Sequence, residues 1–221
     1  MTEELNQINA FIWQSTQVNN CNSYLIDGPT KILIDPGHAE LFQHVSDGLK
    51  GLNINIDDIG LIICTHIHPD HVEAVQLFKD KKTLIAFHHE EWELATSMSQ
   101  YMQSFGIDIS LFSPDFFLKE GDINVNGVKL QIIHTPGHSP GSISIYWPEQ
   151  KVLFSGDTVF QDAVGRVDLP GGNGQMLKES IKKISELKLD WIFPGHGDII
   201  QGNHEIKANF DHIKNFYFNY L

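Results

Sequence analysis

The sequence contains few cysteines, a single arginine and no excess of positive charge. Two cysteines, Cys21 and Cys64, occur in 221 residues, and 15 Lys and Arg face 28 Asp and Glu, for a formal net charge of −13. Two cysteines in apolar-flanked segments cannot form a disulfide framework, which indicates a reducing compartment. The acidic balance excludes a broad basic face, so we expect neither a nucleic acid nor an anionic membrane as a partner.

Long apolar runs and several catalytic motifs are also missing. No stretch approaches the ~18 apolar residues of a membrane-spanning helix, and the acidic start of the chain is unlike the basic start of a secretory signal. We therefore expect a cytoplasmic protein. Because the chain has no P-loop or G-x-G-x-x-G sequence, nothing supports a nucleotide phosphate site or a dinucleotide site.

The composition and the periodicity predict one globular α/β domain. Apolar residues make up 41% of the chain and charged residues 19%, which is typical of a protein that buries a core. No linker or low-complexity stretch interrupts the sequence, so a single domain over residues 1–221 is predicted. Runs with the period of strands alternate with runs with the period of helices along the whole chain.

The first half of the chain reads as a hairpin, a helix and a buried strand. Tyr24–Ile26 and Ile32–Ile34 are short β-rich runs joined by a Gly-Pro turn, and an amphipathic stripe over residues 41–52 predicts a helix. The continuous apolar run Ile59–Cys64 is expected of a strand that is buried on both faces. This strand leads directly into His66.

The second half repeats this order. Ser142–Trp147 and Lys151–Ser155 predict a hairpin, residues 177–187 predict a helix, and Trp191–Phe193 predicts a short strand that leads into His196. Two pseudo-equivalent β-α-β halves, each with a histidine at one end of its sheet, would explain the repeat. Chance self-similarity of an α/β chain is the alternative.

Two further apolar stripes predict helices outside this repeat. The stripe over Glu90–Phe105 is typical of a helix that packs on the core or lines a pocket. A docked C-terminal helix is predicted from five positions at intervals of three or four, namely Ile206, Phe210, Ile213, Tyr217 and Tyr220.

The densest group of metal-binding side chains follows the buried strand of the first half. Within T-H-I-H-P-D-H, residues 65–71, four potential ligands fall within six residues: His66, His68, Asp70 and His71. Imidazoles and carboxylates this close are costly to bury together unless a cation gathers them. A turn into a helix would aim Asp70 and His71 toward the same point as the first two histidines. A polar loop that is rich in histidine by chance is the alternative.

Three later residues fit the same site because each follows a predicted strand. His138 lies in a loop rich in Pro and Gly after the strand Lys129–Ile133, Asp157 follows the second strand of the hairpin, and His196 lies between two glycines. Each residue alone could be a solvated loop residue. Together with the first cluster they indicate one centre at an edge of the sheets.

This combination resembles the metallo-β-lactamase fold superfamily, whose pattern is H-x-H-x-D-H followed by a distant His, Asp and His. The resemblance extends from the hairpin at Tyr24 to His196. It implies an αββα four-layer sandwich, in which two mixed sheets have helices outside.

The resemblance also implies a site for two divalent metal ions. Nitrogen and carboxylate donors without a thiolate suit zinc, with iron or manganese as alternatives. Asp70 and Asp157 would be the catalytic residues, and Asp70 could also orient a bridging hydroxide. The implied ligands are His66, His68 and His138 for one ion, Asp70, His71 and His196 for the second, and Asp157 between them.

A G-R-x-D segment resembles the glyoxalase II-like branch of the superfamily, which includes persulfide dioxygenases. Arg166 is the only arginine of the chain, which indicates a bidentate geometry that lysine cannot reproduce. We expect Arg166 and Asp168 to brace the loop under the metal site, and contact of Arg166 with an anionic substrate is the alternative. Asp35 matches a frequent position of the superfamily and is expected to orient a ligand histidine.

The function implied by this resemblance is metal-dependent hydrolysis. A metal-activated hydroxide would cleave an acyl bond of a small molecule, most readily a thioester, because a thiolate is a good leaving group. Glyoxalase II proper carries a helical domain that binds glutathione after the position of His196, whereas here that segment has room for one helix. We therefore expect a shorter, glyoxalase II-like hydrolase.

The sequence leaves three other functions open, two catalytic and one noncatalytic. A persulfide dioxygenase would hold one iron with His66, His138 and Asp157, a set of two histidines and one carboxylate. A lactone or ester hydrolase of the same fold is a second alternative. A noncatalytic, metal-stabilised binding module is the third.

Overall fold

A computed structural model describes Leu5, residues 7–104 and residues 108–221. The chain divides into two compact units, one of residues 1–118 with 126–128 and the other of residues 119–125 with 129–221. Each unit contains one six-stranded mixed sheet with helices, so the predicted α/β class with two mixed sheets is confirmed. The single domain over residues 1–221 stays a prediction.

The sheet of the first unit has its six strands in sequence order. They are β1 (Ile8–Phe11), β2 (Ser23–Asp27), β3 (Lys31–Ile34), β4 (Ile59–Ile63), β5 (Leu84–His88) and β6 (Phe116–Leu118). The first three strands are antiparallel, and β2 and β3 form the predicted hairpin. From β3 to β6 the neighbours are parallel, so β3 and β4 end at the same edge.

The helices of the first unit are α1 (Gln43–Gly51), α2 (Pro69–Val72), α3 (His89–Ser97) and α4 (Ser99–Ser104), with 3₁₀ turns at residues 39–41, 56–58, 73–78 and 109–112. Helix α1 lies within the predicted stripe and buries Val45 and Leu49. Leu52, the last apolar residue of that stripe, lies beyond the helix and is exposed.

The prediction of one helix over Glu90–Phe105 is wrong in its continuity. Helix α3 ends before Met98, and α4 begins as a separate helix; Phe105 lies outside the described residues. The hydroxyl of Thr96 donates to the Trp92 carbonyl at 2.6 Å, and that of Ser97 donates to the Leu94 carbonyl at 2.7 Å. Such bonds from Ser and Thr to preceding carbonyls bend helices. They leave the spacing of the apolar residues unchanged, so that spacing does not show the break.

The sheet of the second unit has the strand order β14-β13-β10-β9-β8-β7, and β11 and β12 form a separate two-stranded ribbon. The strands are β7 (Gly121–Val125), β8 (Val128–His134), β9 (Ile143–Trp147), β10 (Val152–Gly156), β11 (Val159–Phe160), β12 (Ala163–Val164), β13 (Trp191–Pro194) and β14 (Ile200–Gln201). The predicted hairpin pairs Trp147 of β9 with Val152 of β10. Strand β13 lies parallel to β10, with Phe154 opposite Phe193.

Two helices cover part of the second unit, α5 (Gly174–Ser185) and α6 (Asn203–Phe216). Helix α6 buries Ile206, Phe210 and Ile213, as its stripe predicts. The stripe does not continue to Tyr220, which is 81% exposed, because the helix ends at Phe216. After that end Phe218, which is outside the predicted stripe, packs against the core instead.

Each unit has its own apolar core. Leu25, Leu33 and Ile62 are fully buried in the first unit, and Leu153 and Ile181 are fully buried in the second. Within the described ranges, every helix is too short or too polar to cross a membrane.

Truncation of Leu33 tests the core of the first unit. Leu33→Ala removes a fully buried side chain and leaves a cavity, so the free energy of unfolding should fall by about 2–5 kcal/mol in a urea titration. Leu84→Ala is the control, because Leu84 is 47% exposed. Equal losses in both variants would contradict the assignment of Leu33 to the core.

Candidate metal centre

The H-x-H-x-D-H segment leaves the end of β4 as a loop and then enters helix α2. Pro69 is the first residue of this helix, where its fixed φ favours the helical turn and its missing N–H costs nothing. His68 precedes the helix with extended backbone, and its carbonyl accepts from the His71 N–H at 2.9 Å. The segment is therefore the turn into a helix that the sequence analysis considered.

Three imidazoles of this segment lie against one another. The ring centroids of His66 and His68 are 4.7 Å apart, and those of His66 and His71 are 4.0 Å apart. His66 and His71 are buried. The ring nitrogens of His66 come within 4.8 Å of those of both other histidines, and Asp70 brings a carboxylate oxygen equally close to His71.

Proton positions on two of these rings follow from their partners. His71 Nδ1 lies 2.9 Å from a carboxylate oxygen of Asp35, so Nδ1 donates. The Thr65 hydroxyl donates to the same carboxylate at 2.7 Å and therefore accepts from His66 Nδ1 at 3.1 Å. With Nδ1 protonated, a neutral ring presents Nε2 as its metal-binding atom, and this assignment rests on the hydrogen-bond network.

Asp35 is the buried anion on which this arrangement depends. Its side chain accepts three hydrogen bonds, from the Thr65 N–H, the Thr65 hydroxyl and His71 Nδ1, at 2.7, 2.7 and 2.9 Å. Its backbone carbonyl accepts from the Ser23 hydroxyl at 2.6 Å, and its φ is +50°. Asp35 thus contacts His71 as the sequence analysis expected of a residue that orients a ligand.

Two further polar residues hold the segment, and no sequence pattern predicts either of them. The Asn19 side-chain amide donates to the Asp70 carboxylate at 2.6 Å. Glu91 is fully buried, and its carboxylate accepts from the Ile67 N–H at 2.8 Å. Glu91 lies in the first turn of helix α3, which directly follows strand β5.

In the second unit, the parallel pairing of β10 and β13 brings Asp157 next to His196. Pro194 stands opposite Gly156, and the Gly195 N–H donates to the Gly156 carbonyl at 2.9 Å. Asp157 directly follows β10 and His196 lies two residues after the end of β13, and His196 Nε2 lies 3.5 Å from a carboxylate oxygen of Asp157. The histidine that follows β13 therefore contacts the aspartate that follows β10.

His138 reaches the same carboxylate oxygen from the loop between β8 and β9. Its Nε2 lies 3.5 Å from Asp157 Oδ2, and its Nδ1 donates to the Arg166 carbonyl at 2.7 Å. A neutral ring with its proton on Nδ1 directs the lone pair of Nε2 toward the carboxylate. Two acceptors that face each other in this way repel unless a cation lies between them, so this donor set fits a metal ion.

Gly165 leaves the space that these two ligand candidates occupy. A Cβ on Gly165 would come within 1.9 Å of the Asp157 carbonyl oxygen and 3.1 Å of His138 Nδ1. No side chain other than hydrogen fits there without movement of the backbone. Lack of space for a side chain therefore explains why the G-R-x-D segment has a glycine at this position.

The Arg166 side chain pairs with Asp168 in a bidentate contact. Nε and Nη2 each donate to one carboxylate oxygen at 2.7 Å, and the guanidinium lowers the pKa of Asp168 to about 2. Both side chains are more than 60% exposed. Bracing of the loop, in which the Arg166 carbonyl contacts His138, stays a prediction, as does contact of Arg166 with an anionic substrate.

The structure thus divides the predicted site residues between the units. Asp35, His66, His68, Asp70 and His71 form one cluster in the first unit. The second unit holds the other cluster, which consists of His138, Asp157, Arg166, Asp168 and His196.

The Cys21 thiol donates to the backbone carbonyl of Asp35 at 3.5 Å, and neither cysteine belongs to a candidate metal-binding group of the described residues. Both are buried, and burial raises the pKa of the Cys64 thiol well above its ordinary value. A thiolate nucleophile is therefore disfavoured at neutral pH. Cys64 fills the small apolar role that its strand predicts.

The sheets and the two clusters of His and Asp are those of a metal-dependent hydrolase, and comparison of the sequence gives the family. The model of the metallo-beta-lactamase superfamily matches residues 16–196. The chain belongs to this superfamily, as its motifs predict, and is one of its metallo-hydrolases. Membership implies divalent metal ions and a small-molecule substrate.

Two curated relatives and one solved structure show the similarity. Probable metallo-hydrolase MJ0888 of Methanocaldococcus jannaschii is 37% identical over 185 residues, 80% of this chain and 88% of that protein. Hydroxyacylglutathione hydrolase GloC of Haemophilus influenzae is 35% identical over 199 residues, 86% of this chain and 91% of GloC. The structure of TTHA1623, solved in a di-iron-bound form, has a TM-score of 0.69 and 32% identity and covers 82% of this chain and 89% of its own.

Substitution of Gly165 tests the steric basis of the second cluster. Gly165→Ala should remove most of the bound metal, because the added methyl group must displace the Asp157 backbone or the His138 ring. Metal content after dialysis measures the effect. Gly51→Ala, where an added Cβ meets nothing within 4 Å, should keep wild-type content. Full metal content in Gly165→Ala would refute the steric account.

Substitution of Asp35 tests the first cluster. Asp35→Asn keeps the shape but leaves one acceptor oxygen for three donors and puts an NH₂ group in place of the other oxygen, so the metal-free protein should lose about 1–3 kcal/mol of unfolding free energy. Metal affinity should fall about 10–100-fold, as for other partners of ligand histidines. Urea titration and chelator competition measure the two effects, with the exposed Asp80→Asn as control. Unchanged values in both assays would argue against this role.

Proposed function

We propose that the chain hydrolyses an acyl thioester with the help of two divalent metal ions. The observation that carries this proposal is the position of Asp157, whose Oδ2 lies 3.5 Å from Nε2 of both His138 and His196. A carboxylate shared by two imidazoles suits a ligand that bridges two ions about 3.5–4 Å apart. Similarity to GloC, whose name states a hydroxyacylglutathione hydrolase, supports a thioester as the substrate class.

The proposed ligand set is the one that the sequence motif implies. Zinc is the proposed metal, since every donor is a nitrogen or a carboxylate oxygen. Iron is the alternative, which the di-iron form of TTHA1623 supports. The proposed ligands are His66, His68 and His138 for one ion, Asp70, His71 and His196 for the other, and Asp157 for both.

The residues of the chain have separate tasks in this proposal. When bound, the ions supply a water whose pKa is lowered to about 7 and polarise a carbonyl oxygen. Asp70 is held by the Asn19 amide and would orient the attacking water as a hydrogen-bond acceptor. Asp35 and the Arg166 carbonyl hold Nδ1 of His71 and His138, so that each ring directs Nε2 to the metal. A thiolate leaves without a proton from the protein.

The exposed Arg166–Asp168 pair is proposed to brace its loop rather than to bind substrate. The Asp168 carboxylate already accepts hydrogen bonds from Nε and Nη2, the two donors on one edge of the Arg166 guanidinium. Cytoplasmic location stays a prediction. The thiol portion of the substrate is left to experiment, and a panel of thioesters of glutathione, coenzyme A and small thiols covers the class.

Replacement of Asp157 tests the bridging role. Asp157→Ala should lose at least one of the two ions and most thioester hydrolysis, because both imidazoles lose the shared carboxylate. Elemental analysis gives the metal content, and release of free thiol under anaerobic conditions gives the rate. Asp122→Ala, an exposed change in the same unit, is the control and should leave both unchanged.

Two results would overturn the proposal. Wild-type metal content in Asp157→Ala would refute the bridging assignment. A native protein with one iron that consumes oxygen on a persulfide and cleaves no thioester would replace hydrolysis with the dioxygenase reaction.

A further inference from the structure

The turn between β11 and β12 is held by one buried amide of helix α6. Asn209, 5% exposed, accepts from the Asp162 N–H at 2.6 Å through Oδ1. Its Nδ2 donates to the Phe160 carbonyl at 3.0 Å. One side chain of α6 thus accepts from a backbone N–H and donates to a backbone carbonyl on the two sides of the turn. These two hydrogen bonds attach the turn to the helix.

This turn needs such support because its backbone is unfavourable. Asp162 has a φ of +53°, in the left-handed region, where a residue other than glycine persists only when its surroundings hold it. A second contact comes from the segment after α6, where the Tyr217 hydroxyl donates to the Asp162 carbonyl at 3.1 Å. Both contacts act on the residue with the strained backbone.

The turn carries an aromatic ring to the candidate metal ligand His196. The ring of Phe160 meets the His196 imidazole edge to face, with centroids 5.8 Å apart and planes at 78°. Such contacts prefer a defined angle between the rings. The position of Phe160 therefore limits the orientation of the imidazole.

We infer that Asn209 is a positioning residue for His196 and acts through the Phe160 turn. The inference rests on the proposed function, in which His196 holds the second ion. Asn209 fixes the Phe160 backbone, and the Phe160 ring limits rotation of the His196 ring, whose Nε2 faces Asp157 at 3.5 Å. Residues outside the ligand set that orient a ligand typically change metal affinity 10–100-fold when mutated.

A role in folding alone predicts a different result. If Asn209 only provided hydrogen-bond partners for the backbone of the turn, its loss would lower the stability of the metal-free protein. The affinity of the folded protein for metal would then be unchanged. The positioning role predicts a loss of affinity for the second ion that passes through Phe160. Metal affinity and the coupling between the two residues therefore separate the roles.

The experiment compares Asn209→Ala, Phe160→Leu and the double variant with the wild-type protein. Cobalt(II) is titrated against a competing chelator, and ligand-field absorption reports the environment of each ion. Both single variants should bind the second ion at least 10-fold more weakly, with an altered absorption spectrum. The double variant should match Phe160→Leu within about twofold, since both changes break one path. Asn215→Ala, an exposed asparagine of the same helix, is the control.

Each result decides for or against the inference. Wild-type cobalt affinity in folded Asn209→Ala, or losses that multiply in the double variant, would overturn it. If Asn209→Ala does not fold, Asn209→Asp takes its place, because it keeps the acceptor for Asp162 and replaces the donor to the Phe160 carbonyl with an oxygen that cannot donate. Wild-type affinity in this variant would also overturn the inference. Two bound ions in a wild-type protein that cleaves no thioester would refute the proposed substrate and not this role, whereas a wild-type protein with fewer than two ions would refute both.

Discussion

The Asp35 carboxylate determines the arrangement of the first cluster. A buried charge is tolerated only when hydrogen bonds replace its lost hydration, and this carboxylate has bonds from Thr65 and His71 at 2.7–2.9 Å. Those bonds join the end of β3 to the end of β4 and to helix α2. Because the Thr65 hydroxyl donates its hydrogen bond to Asp35, it accepts from His66, whose proton is therefore on Nδ1. One anion therefore sets the orientation of two imidazoles.

The second unit orients its histidine without a buried anion behind it. His138 donates to a backbone carbonyl, that of Arg166, and the loop that supplies this carbonyl is kept close by Gly165. A carboxylate partner raises the basicity of a ligand imidazole more than a carbonyl does. We therefore expect His71 to be a stronger electron-pair donor to a metal than His138.

The sequence predicted the periodic elements and the positions of the candidate ligands that follow them. Strands β4 and β13, the two hairpins and the stripes of α1 and α5 were all readable, because burial of one face leaves a regular pattern. Asn19, Glu91 and Asn209 were not readable, since their partners lie 51, 24 and 49 residues away and no pattern marks such pairs. The break between α3 and α4 was missed because hydroxyl bonds, not apolar spacing, cause it.

The G-R-x-D segment shows how a motif can act through its backbone. The Arg166 side chain is exposed and points to Asp168, while the Arg166 carbonyl contacts His138. Nε and Nη2 each donate to one carboxylate oxygen of Asp168, and in the proposed bracing role this planar pairing would restrict the backbone between the two residues and so the direction of the Arg166 carbonyl. A lysine would offer a single flexible charge and no such restriction. The proposed bracing role would therefore account for the single arginine of the chain by the geometry of its loop.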